Sequence, residues 1–247
     1  MCGRASITLG EKELETAFGS TFYSDDVVKY NPLFNIAPTH FLPVITSVAP
    51  SVIRMAHWGF RREWKDFKTG EVKKSLHFNA RYETMHQLKT FAPSFEKGQR
   101  CVFLFDGFYE WMQTRSAGKV PFRIGLKTRE PFAVAGLWEE SNMGGAMLSA
   151  TIITCEPNEM MRLVHNKPGR ERMPAILHKD EWHTWVNPAT NADGAISLIK
   201  TFPADEMYCH PVTNDLNREY ENEPKFVQPV FYDMEENELL KQWTMDN

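Results

Sequence analysis

With 247 residues, 42% of them hydrophobic and 13% aromatic, the chain has material for one large core and is neither a disordered segment nor a mini-protein. Its 28 Lys and Arg against 32 Asp and Glu leave a formal charge of −4, so no global basic field marks it as histone-like and any nucleic-acid contact must use a local patch. The polar stretch after Met1-Cys2-Gly3-Arg4 lacks the apolar core of a secretory peptide, no apolar run nears the ~20 residues that span a bilayer, and Cys2, Cys101, Cys155 and Cys209 include no C-x-x-C pair. The expectation is a cytoplasmic protein without a membrane span, zinc ribbon or dense disulfide scaffold.

In chain order, apolar periodicity predicts a helix over 12–18, strands over 44–47 and 52–58, and a helix over 83–91. Strands follow over 101–105, 122–126, 132–137 and 148–154, with a strand-like aromatic stretch around Glu110. Helices are then predicted over 157–164, 180–186 and 195–201, a strand over 207–212, and a last helix over 235–243. No repeat or Gly/Ser linker divides the chain, and the central strands lack βαβ alternation. The expected fold is α+β: a single domain over 1–230 with a largely antiparallel, barrel-like β core and short peripheral helices, followed by a helical tail over 231–247.

Removal of Met1 would leave an α-amine and a thiol on one residue, Cys2. With ordinary pKa values of about 7.7–8.0 and 8.5, both are partly deprotonated near neutral pH. An aldehyde engages both in turn: the amine gives a Schiff base, and the thiol closes on the imine carbon to form a five-membered thiazolidine, helped by effective molarity. Position alone leaves Cys2 an ordinary N-terminal residue.

Cys2 does not stand alone. The chain also carries Asn35-Ile36-Ala37-Pro38, His57-Trp58-Gly59, Phe78-Asn79-Ala80-Arg81-Tyr82-Glu83-Thr84, Asp106-Gly107-Phe108-Tyr109-Glu110-Trp111, Val164-His165-Asn166 and Arg172-Met173-Pro174, with His210-Pro211-Val212 further on. In this order the set resembles the SRAP family, the SOS-response-associated peptidases. The resemblance implies a sensor of abasic sites in single-stranded DNA that crosslinks through Cys2 to the ring-opened deoxyribose, with autoproteolytic or aminopeptidase removal of Met1. A β-elimination (lyase) side reaction through the same imine is chemically open.

Asn79 matches the family's asparagine beside the cysteine, and its amide suits it to orient an amine and a thiol. Arg81 shares its face if the segment is extended, where a guanidinium can hold a phosphate. Glu110, in an aromatic strand-like stretch, is the natural acid/base candidate because partial burial raises a carboxyl pKa. His165, with an ordinary pKa near 6.5, takes from the resemblance the role of moving a proton at the sugar oxygen. Read without the family, these are equally a turn or cap residue, a surface ion pair, a polar-face strand residue and a packed helix-end histidine. The loop between His165 and Arg172 is longer than the family's usual spacing.

For the DNA path, Arg4, Arg61, Arg62, Lys65, Arg81, Lys167, Arg170 and Arg172 are the cationic candidates. Trp58, Phe60 and Trp64 are the stacking candidates, although Arg61-Arg62 breaks the family's Trp-Gly-x-x-Pro run, and Pro38 lines the pocket or makes a rigid turn. No G-x-G-x-x-G, phosphate-binding loop or metal-ligand spacing occurs, so no cofactor and no metal are expected. The expected partner is single-stranded DNA with an abasic site, met in the cytoplasm and at the nucleoid during repair, with no obligate protein partner. A thiol peptidase acting in trans and a non-covalent binder of modified or single-stranded DNA are the alternatives.

Overall fold

Two consecutive runs rich in Val, Ile and Phe, Phe41–Thr46 and Ala49–Trp58, fold back on each other as an antiparallel hairpin. They form two staves of a five-stranded barrel in the computed structural model, which describes residues 2–140, 147–217 and 221–244. Arg100–Phe105 pairs antiparallel with Phe41–Thr46 and with Phe132–Glu140, which pairs with Leu148–Cys155. The ring closes where Leu148–Cys155 meets Ala49–Trp58 in parallel, Leu148 opposite Ala56. Arg100–Phe105 and Leu148–Cys155 are buried along their whole length because both barrel faces are covered; this fits the apolar run Cys101–Phe105, while Ser149, Thr151 and Thr154 are small polar residues buried within the second strand.

A second sheet, antiparallel throughout, runs in the spatial order Leu33–Ile36, Ala5–Ile7, Gly107–Gln113, Lys119–Leu126, Met207–Pro211. The fold is thus α+β with largely antiparallel sheets and short helices, as expected. A two-stranded hairpin, Phe60–Lys65 with Val72–His77, leaves the barrel at Gly59. Gly59 has φ +123, and a Cβ there would lie 2.6 Å from Leu76 Cδ1, so backbone and space both demand glycine.

The predicted helices over 12–18, 157–164, 180–186 and 195–201 appear as Glu11–Phe18, Glu159–Val164, Trp182–Val186 and Ala192–Ser197. The helix expected over 83–91 does not form. Its backbone makes separate turns, and the regular helix begins only at Ala92–Glu96, with Pro93 in the first turn where its missing N–H costs nothing. Near the C-terminus, Asn237–Leu240 and a 3-10 turn over Lys241–Trp243 replace one continuous helix. Met234, Leu240 and Trp243 are buried with the main core rather than standing off from it. Among the described residues no helix is long and apolar enough to cross a membrane.

Candidate functional site

The Ala5–Ile7 strand lies between Gly107–Gln113 and Leu33–Ile36, and Tyr109 N donates to Arg4 O at 2.9 Å, carrying the pairing past the strand's start. Cys2 is thereby drawn inside and has no exposed surface. Its Sγ faces Arg4 O at 3.8 Å, and its carbonyl accepts from Asn79 Nδ2 at 2.8 Å. Asn79 opens the short strand Asn79–Arg81, laid parallel on Leu148–Cys155 with Asn79 opposite Ile152. Asn79 Oδ1 is buried without a hydrogen-bond partner. An orphaned acceptor costs free energy as it stands, and beside Cys2 it fits an incoming amine or hydroxyl donor.

Glu110 and His165 meet across two elements. Glu110 sits in Gly107–Gln113 and is 4% exposed; its Oε2 is 3.8 Å from His165 Nδ1. His165 ends the Glu159–Val164 helix, whose start is fixed by Asn158: its side chain accepts from Met161 N and donates to Phe202 O, both at 2.8 Å. The long loop after His165 does not displace it, because both ends of the loop are tied. His165 Nδ1 is 3.3 Å from Arg172 O, and the Asn166 side chain exchanges two 2.9 Å hydrogen bonds with the backbone of Gln113, on the strand that carries Glu110.

Burial, reinforced by the nearby Glu110 carboxylate, drives the Cys2 thiol far above its ordinary pKa. With residue 1 in place, burial thus favours the protonated thiol over the partly ionised one that the ordinary pKa values give for a Met1-free Cys2. Burial also raises the Glu110 carboxyl, with His165 opposing. A thiol that starts neutral needs a neighbouring base as it reacts, and Glu110 is placed among the groups that can take the proton.

The cationic candidates divide. Arg61, Lys65, Arg81, Lys167 and Arg170 are exposed. Arg4 donates to Asn35 Oδ1 at 2.5 Å, and Asn35 is held in turn by Leu216 O at 3.2 Å. Arg62 is engaged by Glu139 at 2.6 Å. Arg172 is engaged within the fold. It is 5% exposed and its guanidinium is occupied by Glu83 (2.5 and 2.8 Å), Glu156 (2.9 Å) and Thr154 O (2.7 Å). Trp58 and Phe60 are wholly buried, Trp58 Nε1 donating to Phe78 O, so neither offers a face to a base; Trp64 is 47% exposed and does. Pro38 is half-buried, next to Thr39 at φ 83, a strained backbone for a β-branched residue.

Sequence reading missed the Glu83–Arg172–Glu156 cluster, the Arg4–Asn35 contact and the Asn166 tie. Only Asn166, directly after His165, carried a local signal.

The family description "SOS response associated peptidase (SRAP)" matches residues 1–219. "Abasic site processing protein YoqW" of Bacillus subtilis is 33% identical over 236 residues, covering 92% of this chain and 99% of that protein. "Abasic site processing protein HMCES" of Xenopus tropicalis is 28% identical over 273 residues, covering 93% of this chain and 78% of that protein. A crystal structure of a Bacteroides thetaiotaomicron protein shares the fold with a TM-score of 0.76 at 23% identity, covering 93% of this chain and all of that one.

Proposed function

The chain belongs to the SRAP family, and from that premise we propose that it processes abasic sites by covalent capture, with Cys2 joining the ring-opened sugar of single-stranded DNA. The observation that carries this reading is the convergence on Cys2 of an orphaned amide acceptor and a buried carboxyl, the carboxyl itself facing a histidine from a third element. Water first adds across the Met1–Cys2 peptide bond, releasing methionine and creating the amine. The amine attacks the C1′ aldehyde, and the carbinolamine loses its hydroxyl as water to give the imine. The thiol sulfur then adds to the imine carbon while its proton goes to nitrogen. Aldehyde and aminothiol thus become thiazolidine plus one water.

In this sequence Asn79 orients the amine through Oδ1. Glu110 relays the amine and thiol protons and protonates the departing hydroxyl, and His165 moves a proton at the sugar oxygen as the ring opens. Arg4 and Arg81 lie toward the phosphates. Met1 falls outside the described residues, but the chemistry requires its loss, because an amide nitrogen cannot form the imine. On a denaturing gel, the Met1-free protein is expected to shift an abasic strand, to leave an undamaged strand unshifted, and to lose the shift in Cys2→Ala. Binding that never survives denaturation would favour the non-covalent reading.

The Phe60–His77 hairpin supplies the local basic patch that the acidic chain requires. It carries six cations (Arg61, Arg62, Lys65, Lys68, Lys73 and Lys74) against Glu63, Asp66 and Glu71, and its second strand runs through Phe78 directly into Asn79. Exposed Trp64 lies opposite Lys73 on one face of this hairpin. Base stacking on an aromatic ring is worth about 1–3 kcal/mol, so Trp64→Ala is expected to weaken single-strand binding roughly tenfold with melting unchanged. Fluorescence anisotropy at fixed salt measures it, and an unchanged affinity removes Trp64 from the path.

A further inference from the structure

On the outer face of the second sheet lies a cavity of about 420 Å³ that the crosslinking chemistry does not use. Tyr109, Arg123 and His210 are register partners across three adjacent strands, and strand alternation turns them away from the side that carries Glu110. The cavity is therefore separated from Cys2 by the thickness of one sheet.

Its floor is a built cation. Arg123 is buried and held by Asp106 at 2.9 Å, Ser6 Oγ at 3.2 Å and Tyr208 OH at 2.5 Å. Glycines make this possible: a Cβ at Gly107 would lie 2.7 Å from Arg123 Cζ, and one at Gly125 would lie 2.8 Å from the Tyr208 ring. Asp106 balances the Arg123 charge and is itself saturated, since Ser6 Oγ and Thr8 N and Oγ1 also donate to it.

The mouth carries a second cation with no such balance. The Arg129 guanidinium lies 4.0 Å over the Tyr208 ring, and no carboxylate pairs with it among the described residues. Its backbone is left-handed, φ 62, an unfavourable conformation for a side-chain-bearing residue that turns the chain here. Beside it, His210 Nε2 donates to Val227 O at 3.1 Å; burial, with Arg123 and Arg129 adding repulsion, lowers its pKa to about 4. The ring is neutral at physiological pH, with Nδ1 left as an acceptor.

These groups leave one positive charge in excess in a space of ligand size. Arg129 already caps the Tyr208 face, so the cavity recognises its ligand by charge and hydrogen bonds rather than by stacking a base. A partly protonated oxyanion meets both needs, its oxygens on Arg129 and its hydroxyl on His210 Nδ1. We propose that this cavity is a second binding site, specific for a phosphate group, whether free inorganic phosphate or the terminal phosphate of a nucleic-acid strand.

Inorganic phosphate, added to the full chain at constant ionic strength against a chloride control, is expected to shift the His210 ring NMR signals saturably. Arg129→Gly removes the guanidinium and relaxes the left-handed backbone, so it is expected to fold at least as well, to form the Cys2 adduct normally, and to bind phosphate at least tenfold more weakly. Undamaged oligonucleotides with and without a 5′-phosphate separate the sources. A His210 shift from the phosphorylated strand alone assigns a strand end, and a shift from inorganic phosphate but neither strand assigns the free ion. No phosphate-specific shift, or an equal shift in Arg129→Gly, overturns the proposal, and neither result bears on the Cys2 chemistry.

Discussion

Glu110→Gln is expected to slow adduct formation at least 100-fold at neutral pH, because the variant keeps the shape of the side chain and removes its ability to move protons. The pH dependence separates this from a folding defect. Burial raises the Glu110 carboxyl above its ordinary value of 4.5, so the native state holds the proton more tightly than the unfolded chain. Stability from this group is complete below 4.5 and is lost as pH rises through the folded pKa. Glu110→Gln must therefore melt no lower than the wild type at pH 7 while reacting far more slowly. The wild-type single-turnover rate should also show a titration above 4.5 that the variant lacks. Equal rates for the two proteins across the pH range would remove Glu110 from the chemistry.

The second large effect is structural. Arg172→Met is expected to cost about 3 kcal/mol, the low end for breaking a buried ion pair, because Glu83 and Glu156 retain some access to water, at 33% and 58% side-chain exposure. For a chain of this size that is a fall of roughly 6–12 °C in Tm. Although burial pushes the Glu83 carboxyl up, hydrogen bonds from Arg172 more than offset this, and its pKa is lowered. The stability it contributes is present above its ordinary pKa and fades as pH falls, so the gap between wild type and Arg172→Met should narrow in acid. Because Arg172 O faces His165 Nδ1, the variant should also slow the reaction, and adding Glu83→Gln should recover melting more than rate. A melting curve unchanged by Arg172→Met would contradict the clamp.

The barrel strands were legible because burial on both faces favours apolar and β-branched residues throughout, as in Cys101–Phe105 and in the Ile and Thr of Leu148–Cys155. The Phe60–His77 hairpin was not. Its charged residues face water on both strands, only Phe60 is fully buried, and alternation therefore leaves no apolar trace. The 83–91 segment misled for the opposite reason. Met85 and Phe91 are buried, but six residues apart they would lie on different faces of a helix, and isolated turns bring both inward.

The residues gathered at the site, Asn79 and Glu110 around Cys2 with His165 beside Glu110, each stand in an ordered motif of the sequence. The burial that favours the protonated thiol was not legible there, because it arises from strands paired about a hundred residues apart in the chain, Ala5 with Phe108. Arg172 was read as a free cation for the same reason: its partner Glu83 lies 89 residues away.

Intact mass spectrometry of the Met1-free protein after reaction with a single-abasic strand, followed by peptide mapping, tests covalent capture most directly. The account predicts one species at the mass of protein plus strand minus one water, with the modification on residue 2 and absent from Cys2→Ala. An adduct mapped to any other residue, or no adduct from a fully processed chain, would contradict it.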